Sequence, residues 1–242
     1  MELIRLDKLL SQSLLLSRAD AKKILRASEV FVNGKVCKNG DMKINLSVDN
    51  VVVNGQTISY EKYIYIMLHK PAGVVSASRD PKEKTVVDLV PADIRRKGLF
   101  PAGRLDKDTT GFVLLTDDGD FAHRILAPGK HVPKTYLVTL TRAVTESEIA
   151  ELADGPVLDD EKLLPVSVQV SDAENFIYEV ILMEGRYHQI KRMFAKQGNP
   201  VCALHRTQMG ALPLDTDLLP GECRALTQAD LDLIIQQENV ST

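Results

Sequence analysis

No stretch of this 242-residue chain strings together the roughly eighteen apolar residues of a membrane span, so none is expected. The opening MELIRLDKLL carries charge from its second residue. It lacks the basic start, apolar run and cleavage site of a leader, so none is expected there either. Cysteine is scarce: Cys37, Cys202 and Cys223 are odd in number, far apart and form no CxxC pair. That excludes a disulfide framework or a zinc site of the usual spacing and makes a reducing cytoplasm the expected setting. A phosphate loop, a dinucleotide fingerprint and a metal-ligand cluster are missing as well. Positive charge is not in excess, with 30 Lys+Arg against 33 Asp+Glu and a net charge of −3. That balance argues against nucleic acid only if the charge is evenly spread, and it is not. Residues 1–60 hold nine Lys+Arg and six Asp+Glu, against 21 and 27 in the remainder. A small basic module on a mildly acidic body is a different molecule from a uniformly acidic one.

What is present begins with helical spacing. Leu6, Leu9 and Leu10 share one face of a helix within residues 3–12. Ser17, with Asp20 three residues on, reads as an N-cap with an acidic first turn. The helix it opens turns Ala21, Ile24 and Leu25 inward and leaves Arg18, Lys22, Lys23 and Arg26 outside. VFVNGKV and VVVNGQTIS then alternate around Asn33-Gly34 and Asn54-Gly55, the strongest short hairpin signal. Residues 1–57 therefore read as one small unit, 58–63 as a linker and 64–242 as a second domain. In the second domain, strand-like runs (YIYIMLHK, FVLLT, TYLVTL, VSVQV, FIYEVILM) mix with helical patterns near 117–127, 144–153, 187–197 and 227–237. Strands separated by polar turns predict an α+β fold with a mainly antiparallel sheet.

One stretch, AGRLDKDTTGFVLLTDDGDF, places five aspartates in fifteen positions: Asp106, Asp108, Asp117, Asp118 and Asp120. A calcium loop would take ligands at Asp106, Asp108, Thr110 and Asp117 with Gly111 at the turn. Two things oppose it: the closing position lacks the bidentate glutamate, and FVLLT inside the loop reads as a buried strand rather than a helix flank. Asp117-Asp118-Gly119 reads as a turn leading into the helix DFAHRIL, with Thr116 or Asp117 as its cap. Asp106, on a loop feeding the buried strand, is placed where a rigid frame can hold a reactive side chain.

Several segments carry a resemblance in the same order. GRLDKDTTGFVLLTDDG closely resembles the catalytic motif of pseudouridine synthases, in the RsuA branch that modifies ribosomal RNA. HKPAGVV (69–75) looks like that branch's opening motif, and KTY (134–136) like the segment with its active-site tyrosine. EGRYHQIKRMF (184–194) with LHR (204–206) is similar to its third motif, and LPGECRALT (219–227) to its C-terminal segment. RLDKLLSQSLLLSRADAKKILRASEVFVNGKV resembles an S4 RNA-binding domain. The resemblance spans nearly the whole chain, and DKDTTG…TDDG is most like the small-subunit enzymes of the branch. The end at QQENVST lacks the long basic tail of some members.

The resemblance implies an S4-like RNA-binding domain followed by a pseudouridine synthase catalytic domain. The implied reaction breaks the N1–C1′ bond of a uridine in RNA, rotates the uracil and forms a C5–C1′ bond, with no cofactor. Asp106 would be the essential carboxylate, acting as a nucleophile or removing a sugar proton. Lys191 would be its basic partner, with Arg192 as the alternative. Tyr136 would stack on the uracil, over a packing Leu182. Arg104 would hold the extruded base or fill its place. Arg186, Arg192 and Arg206, with Arg18, Lys22 and Lys23 of the basic helix, would contact RNA, and His188 would bind phosphate or shape its motif. The implied partner is small-subunit ribosomal RNA, free or in an assembly intermediate with ribosomal proteins; with no coiled coil or obvious pairing edge in the sequence, a monomer is expected, away from any membrane. A large-subunit target and a non-catalytic assembly protein are the alternatives; the latter would need neither Asp106, Tyr136 nor Lys191.

Overall fold

The computed structural model describes residues 3–58, 60–127 and 132–236. Met1 and Glu2 of the opening segment, Ser59 of the expected linker, Gln237 of the expected last helix and the rest of the tail lie outside them. The chain divides between Tyr63 and Ile64 into two compact units.

In the first unit, helices Leu6–Ser13 and Arg18–Arg26 precede a four-stranded antiparallel sheet. Its order is Lys35–Val36, Val30–Val32, Val51–Val53, Gln56–Thr57. Leu3–Arg5 pairs separately with Lys43–Asn45. The helical spacing is used as expected: Leu6, Leu9, Leu10, Ala21 and Leu25 are buried, with Val30, Val32, Val51 and Val53 beneath them. Ser17 Oγ accepts from the Asp20 amide at 3.1 Å and caps the second helix. Arg18, Lys22, Lys23 and Arg26 are exposed. Both hairpins turn through left-handed backbone, Asn33 and Gly34 at φ 51° and 77°, Asn54 and Gly55 at 50° and 79°. Ile58 and Tyr60, inside the expected linker, pack against this unit's core.

The second unit is built on a nine-stranded sheet. Its main path runs Ser167–Asp172, Ile177–Leu182, Lys134–Leu140, Val201–Met209, Thr110–Thr116, Tyr65–Lys70, Cys223–Ala225. Pairing is antiparallel except where Val201–Met209 meets Thr110–Thr116. Both faces are covered. Val113 and Leu115 point into one core with helices Glu146–Asp154 and Gln189–Lys196 (through Leu152, Ile190, Met193 and Phe194). Phe112 and Leu114 point into another with helices Gly119–Leu126 and Gln228–Ile235 (through Phe121, Ile125, Leu231 and Ile234). That is why FVLLT is continuously apolar rather than alternating. At the parallel junction Gly111 lies at φ 104°, and a Cβ there would sit 2.2 Å from the Arg206 carbonyl oxygen, so only glycine fits.

The helix after this strand corrects one expectation. Its cap is Asp118, which accepts from the Phe121 amide at 3.0 Å. Thr116 instead accepts from the Asp118 amide at 3.0 Å, and Asp117 from the Ile64 amide at 2.8 Å. The seven-residue strand Thr110–Thr116 also disposes of the calcium loop. At about 3.3 Å per residue it spans roughly 20 Å from Thr110 to Thr116, so the ligand positions at its two ends cannot close on one ion.

Candidate active site

Strands Phe100–Ala102 and Thr110–Thr116 pair with each other, and the loop 103–109 joining them carries Arg104, Asp106 and Asp108. An unbraced loop of this kind would sample many conformations. Here Lys70, fully buried, reaches the carbonyl oxygens of Pro71, Asp106, Lys107 and Thr109 at 3.2, 2.9, 3.1 and 2.6 Å. Ser76 Oγ accepts from the Leu105 amide at 3.1 Å and donates to the Leu105 carbonyl at 2.9 Å. The Gly73 amide donates to Lys107 O at 2.8 Å. The HKPAGVV segment is therefore the frame of the loop. Sequence reasoning marked the segment but missed Lys70, whose only signal was a lysine closing an apolar strand. Burial pushes the Lys70 ammonium down to about 8, with repulsion from Lys191 and Arg206, against the pull of Asp108 and Asp106.

So held, the Asp106 carboxylate faces the helix Gln189–Lys196. Ile190, Met193 and Phe194 bury that helix's apolar side, leaving Lys191 towards the loop. Lys191 Nζ lies 3.0 Å from Asp106 Oδ2 and 2.6 Å from Asp108 Oδ1. Burial opposes its charge, but hydrogen bonds and attraction from the two carboxylates win, and its pKa is raised. It stays an ammonium at any physiological pH. Arg192, the alternative partner, points elsewhere: its guanidinium pairs with Asp159 at 2.5 Å. His188 Nε2 lies 3.2 Å from Asp106 Oδ1. The resemblance implied phosphate binding or motif shaping for this histidine; the fold sets it against Asp106.

The cleft beside Asp106 is lined by Tyr136, Leu182, Leu204 and Ile190, with Arg104 and Arg186 at its edge. Tyr136 is 7% exposed, so its ring forms a wall rather than a free platform. Leu182, 3% exposed, stands beside it. Arg104 is exposed. Arg186 pairs with Glu161 at 2.5 Å and Glu184 at 3.4 Å. The structure corrects the RNA-contact reading of Arg206, which is 1% exposed. Strand pairing turns it inward: its Nε donates to Phe112 O at 2.6 Å and its guanidinium lies 6.0 Å from the Tyr136 ring. It backs the tyrosine instead of meeting a phosphate. Lys134, two residues before Tyr136, is also buried, and burial with nearby Arg206 pushes it down to about 8.

A larger open groove lies between hairpin Val157–Lys162 and the helix Gln189–Lys196, crossed by the Arg192–Asp159 pair. It holds none of the groups around Asp106. Among the described residues, no set of three or more His, Cys, Asp or Glu is placed to hold a metal ion. Among them, too, no helix is long and apolar enough to cross a membrane. Taken together, the cleft sets the Asp106 carboxylate, faced by Lys191 and His188, beside the aromatic wall of Tyr136.

The chain is similar to known proteins along nearly its whole length. The RNA pseudouridylate synthase family matches residues 64–196, and the S4 domain family matches residues 4–50. The chain is 42% identical to an uncharacterized RNA pseudouridine synthase of Bacillus subtilis, over 96% of this chain and 98% of that one. It is 43% identical to ribosomal small subunit pseudouridine synthase A of Yersinia pestis, over 94% and 97%. A crystal structure of a pseudouridylate synthase superposes with a TM-score of 0.66 at 39% identity, covering 96% of this chain and 99% of that one.

Proposed function

The chain belongs to the RNA pseudouridylate synthase family, and from that premise we propose that it converts a specific uridine of small-subunit ribosomal RNA to pseudouridine. The observation that carries the reading is Asp106, held by a braced loop between Lys191 and His188 at the edge of a cleft walled by Tyr136. The small-subunit target rests on relatives that bear that name.

The target uridine leaves its stack and enters the cleft. Its uracil lies against Tyr136, whose other support is Arg206. Asp106 acts as the carboxylate, as a nucleophile or by taking a sugar proton. The N1–C1′ bond breaks, the uracil turns within the cleft and the C5–C1′ bond forms. The proton on C5 passes to solvent and N1 gains one, so the balance closes without a cosubstrate. Lys191, 3.0 Å from the carboxylate, supplies a fixed positive charge beside it. Arg104, exposed at the rim, holds the opened stack. In the first unit Arg18, Lys22 and Lys23 supply phosphate contacts, which add affinity and carry little sequence information. The working form is a cytoplasmic monomer acting on ribosomal RNA or an assembly intermediate.

Tritium release from C5-labelled ribosomal RNA tests this. Release is expected from small-subunit RNA, naked or carrying ribosomal proteins, and not from large-subunit RNA. Release from large-subunit RNA alone would overturn the target. Release from neither would overturn the activity.

A further inference from the structure

One aromatic beside the cleft has no task in the reaction above. Tyr187 is 74% exposed, unusual for a ring of its size. It lies flat on His188, with ring centroids 3.9 Å apart and planes 15° from parallel. His188 in turn is part of the cleft wall and touches Asp106. A short aromatic column therefore runs outward from the reacting carboxylate. The imidazole covers one face of the outer ring, and solvent has the other.

The column is built into the fold. His188 sits in left-handed backbone at φ 48°, which non-glycine residues seldom adopt. Gln189, 3% exposed, holds the turn that imposes this. Its Oε1 accepts from the Arg186 amide at 2.9 Å, and its Nε2 donates to Glu184 Oε1 at 3.1 Å. Glu184 Oε1 is tied in turn to the Leu164 amide at 3.0 Å. The ring pair thus stands on a buried, hydrogen-bonded frame. Arg104, exposed in the same cleft lining, supplies positive charge for the sugar-phosphate chain of whatever lies on the ring, whereas the Arg186 guanidinium is taken up by Glu161 and Glu184.

We propose that Tyr187, seated on His188, is the stacking platform for the base adjacent to the target uridine. The inference rests on the RNA-modifying reading of the cleft. Extruding a uridine strips its neighbours of a stacking partner, and an open aromatic face one ring beyond the cleft wall replaces it. Stacking tolerates any base, but a purine offers the larger face. The platform therefore favours a purine at that flank and adds to the choice of uridine.

The test compares the unsubstituted protein with Tyr187→Ala and Tyr187→Phe. The RNA is a small-subunit fragment that the unsubstituted protein modifies, with 2-aminopurine at either neighbour of the target. Binding should quench the probe at one flank in the unsubstituted and Tyr187→Phe proteins, and not in Tyr187→Ala. Tyr187→Ala should raise KM about tenfold, the size of one lost base stack, with a much smaller change in kcat. Melting curves should coincide, because the ring is exposed. Turnover without quenching at either flank, or a Tyr187→Ala protein equal to the original, would overturn the proposal. So would a KM change whose quenching persists, which would make Tyr187 a support for His188 only. Absence of tritium release by the unsubstituted protein would overturn the isomerase reading as well, an outcome distinct from these.

Discussion

The strand Thr110–Thr116 has aspartates beyond both of its ends, and the two ends treat them differently. Before the strand, Asp106 and Asp108 meet Lys191, and Asp106 also meets His188. After it, Asp118 is 5% exposed and taken up by the Phe121 amide and the Tyr65 hydroxyl, at 3.0 and 2.6 Å. Asp117 takes the Ile64 amide at 2.8 Å, with Arg96 at 3.9 Å. Tyr65 shows the consequence: burial, then the bond to Asp118, raises its pKa above the usual phenol range, and it remains a donor. One residue type does two jobs. A carboxylate enclosed by amides and a hydroxyl holds the fold together. A carboxylate at an open cleft, faced by a cation and an imidazole, is the one we propose reacts.

Substitutions can break that contrast. Asp106→Asn removes the reacting oxygen's charge but keeps its shape. Turnover should fall at least about a thousandfold, with RNA binding and melting preserved. Equal losses in binding would merge the two ends into one structural role. Lys191→Met should lower kcat about a hundredfold, since the carboxylate loses its fixed counter-charge. A steady-state assay checks this, and an unchanged kcat would mean that Lys191 only pins the loop through Asp108.

Asp118→Ala should do the opposite. Losing the cap and the Tyr65 bond should cost about 2 kcal/mol in urea unfolding. Activity per folded molecule should stay within about twofold of the original. A smaller effect sharpens the electrostatic side of the comparison. Lys134 has a folded pKa of about 8 against an ordinary 10.5. Between those values the unfolded chain binds more protons, so stability rises with pH through that window and is lost as pH falls through 8. Lys134→Met should flatten this rise, by roughly 1–3 kcal/mol between pH 8 and 10.5. Urea midpoints at pH 7, 9 and 10 would show it; parallel curves for both proteins would contradict the buried-cation account.

Local chemistry was readable in the sequence. The Asn-Gly turns need left-handed backbone that asparagine and glycine tolerate, and Ser17 reaches its own helix's amide, so both were expected where they occur. The long apolar strand was expected too, because both of its faces are covered. What could not be read depends on partners distant in the chain. Asp117 does not cap its helix because the Ile64 amide claims it. Lys70 frames the loop that carries Asp106 from 36 residues away, through carbonyl oxygens that leave no mark in side-chain patterns. Arg206 follows a histidine in a motif-like LHR, yet strand register turns it inward beneath Tyr136. His188 gains its carboxylate only when the helix Gln189–Lys196 packs over the loop.

The most direct measurement is single-turnover tritium release by Asp106→Asn and Asp118→Asn, each confirmed folded and saturated with C5-labelled small-subunit RNA. The account predicts no release from Asp106→Asn and release near the original rate from Asp118→Asn. Release from Asp106→Asn, or its loss from a folded Asp118→Asn, would contradict the division of labour between the two ends of the strand.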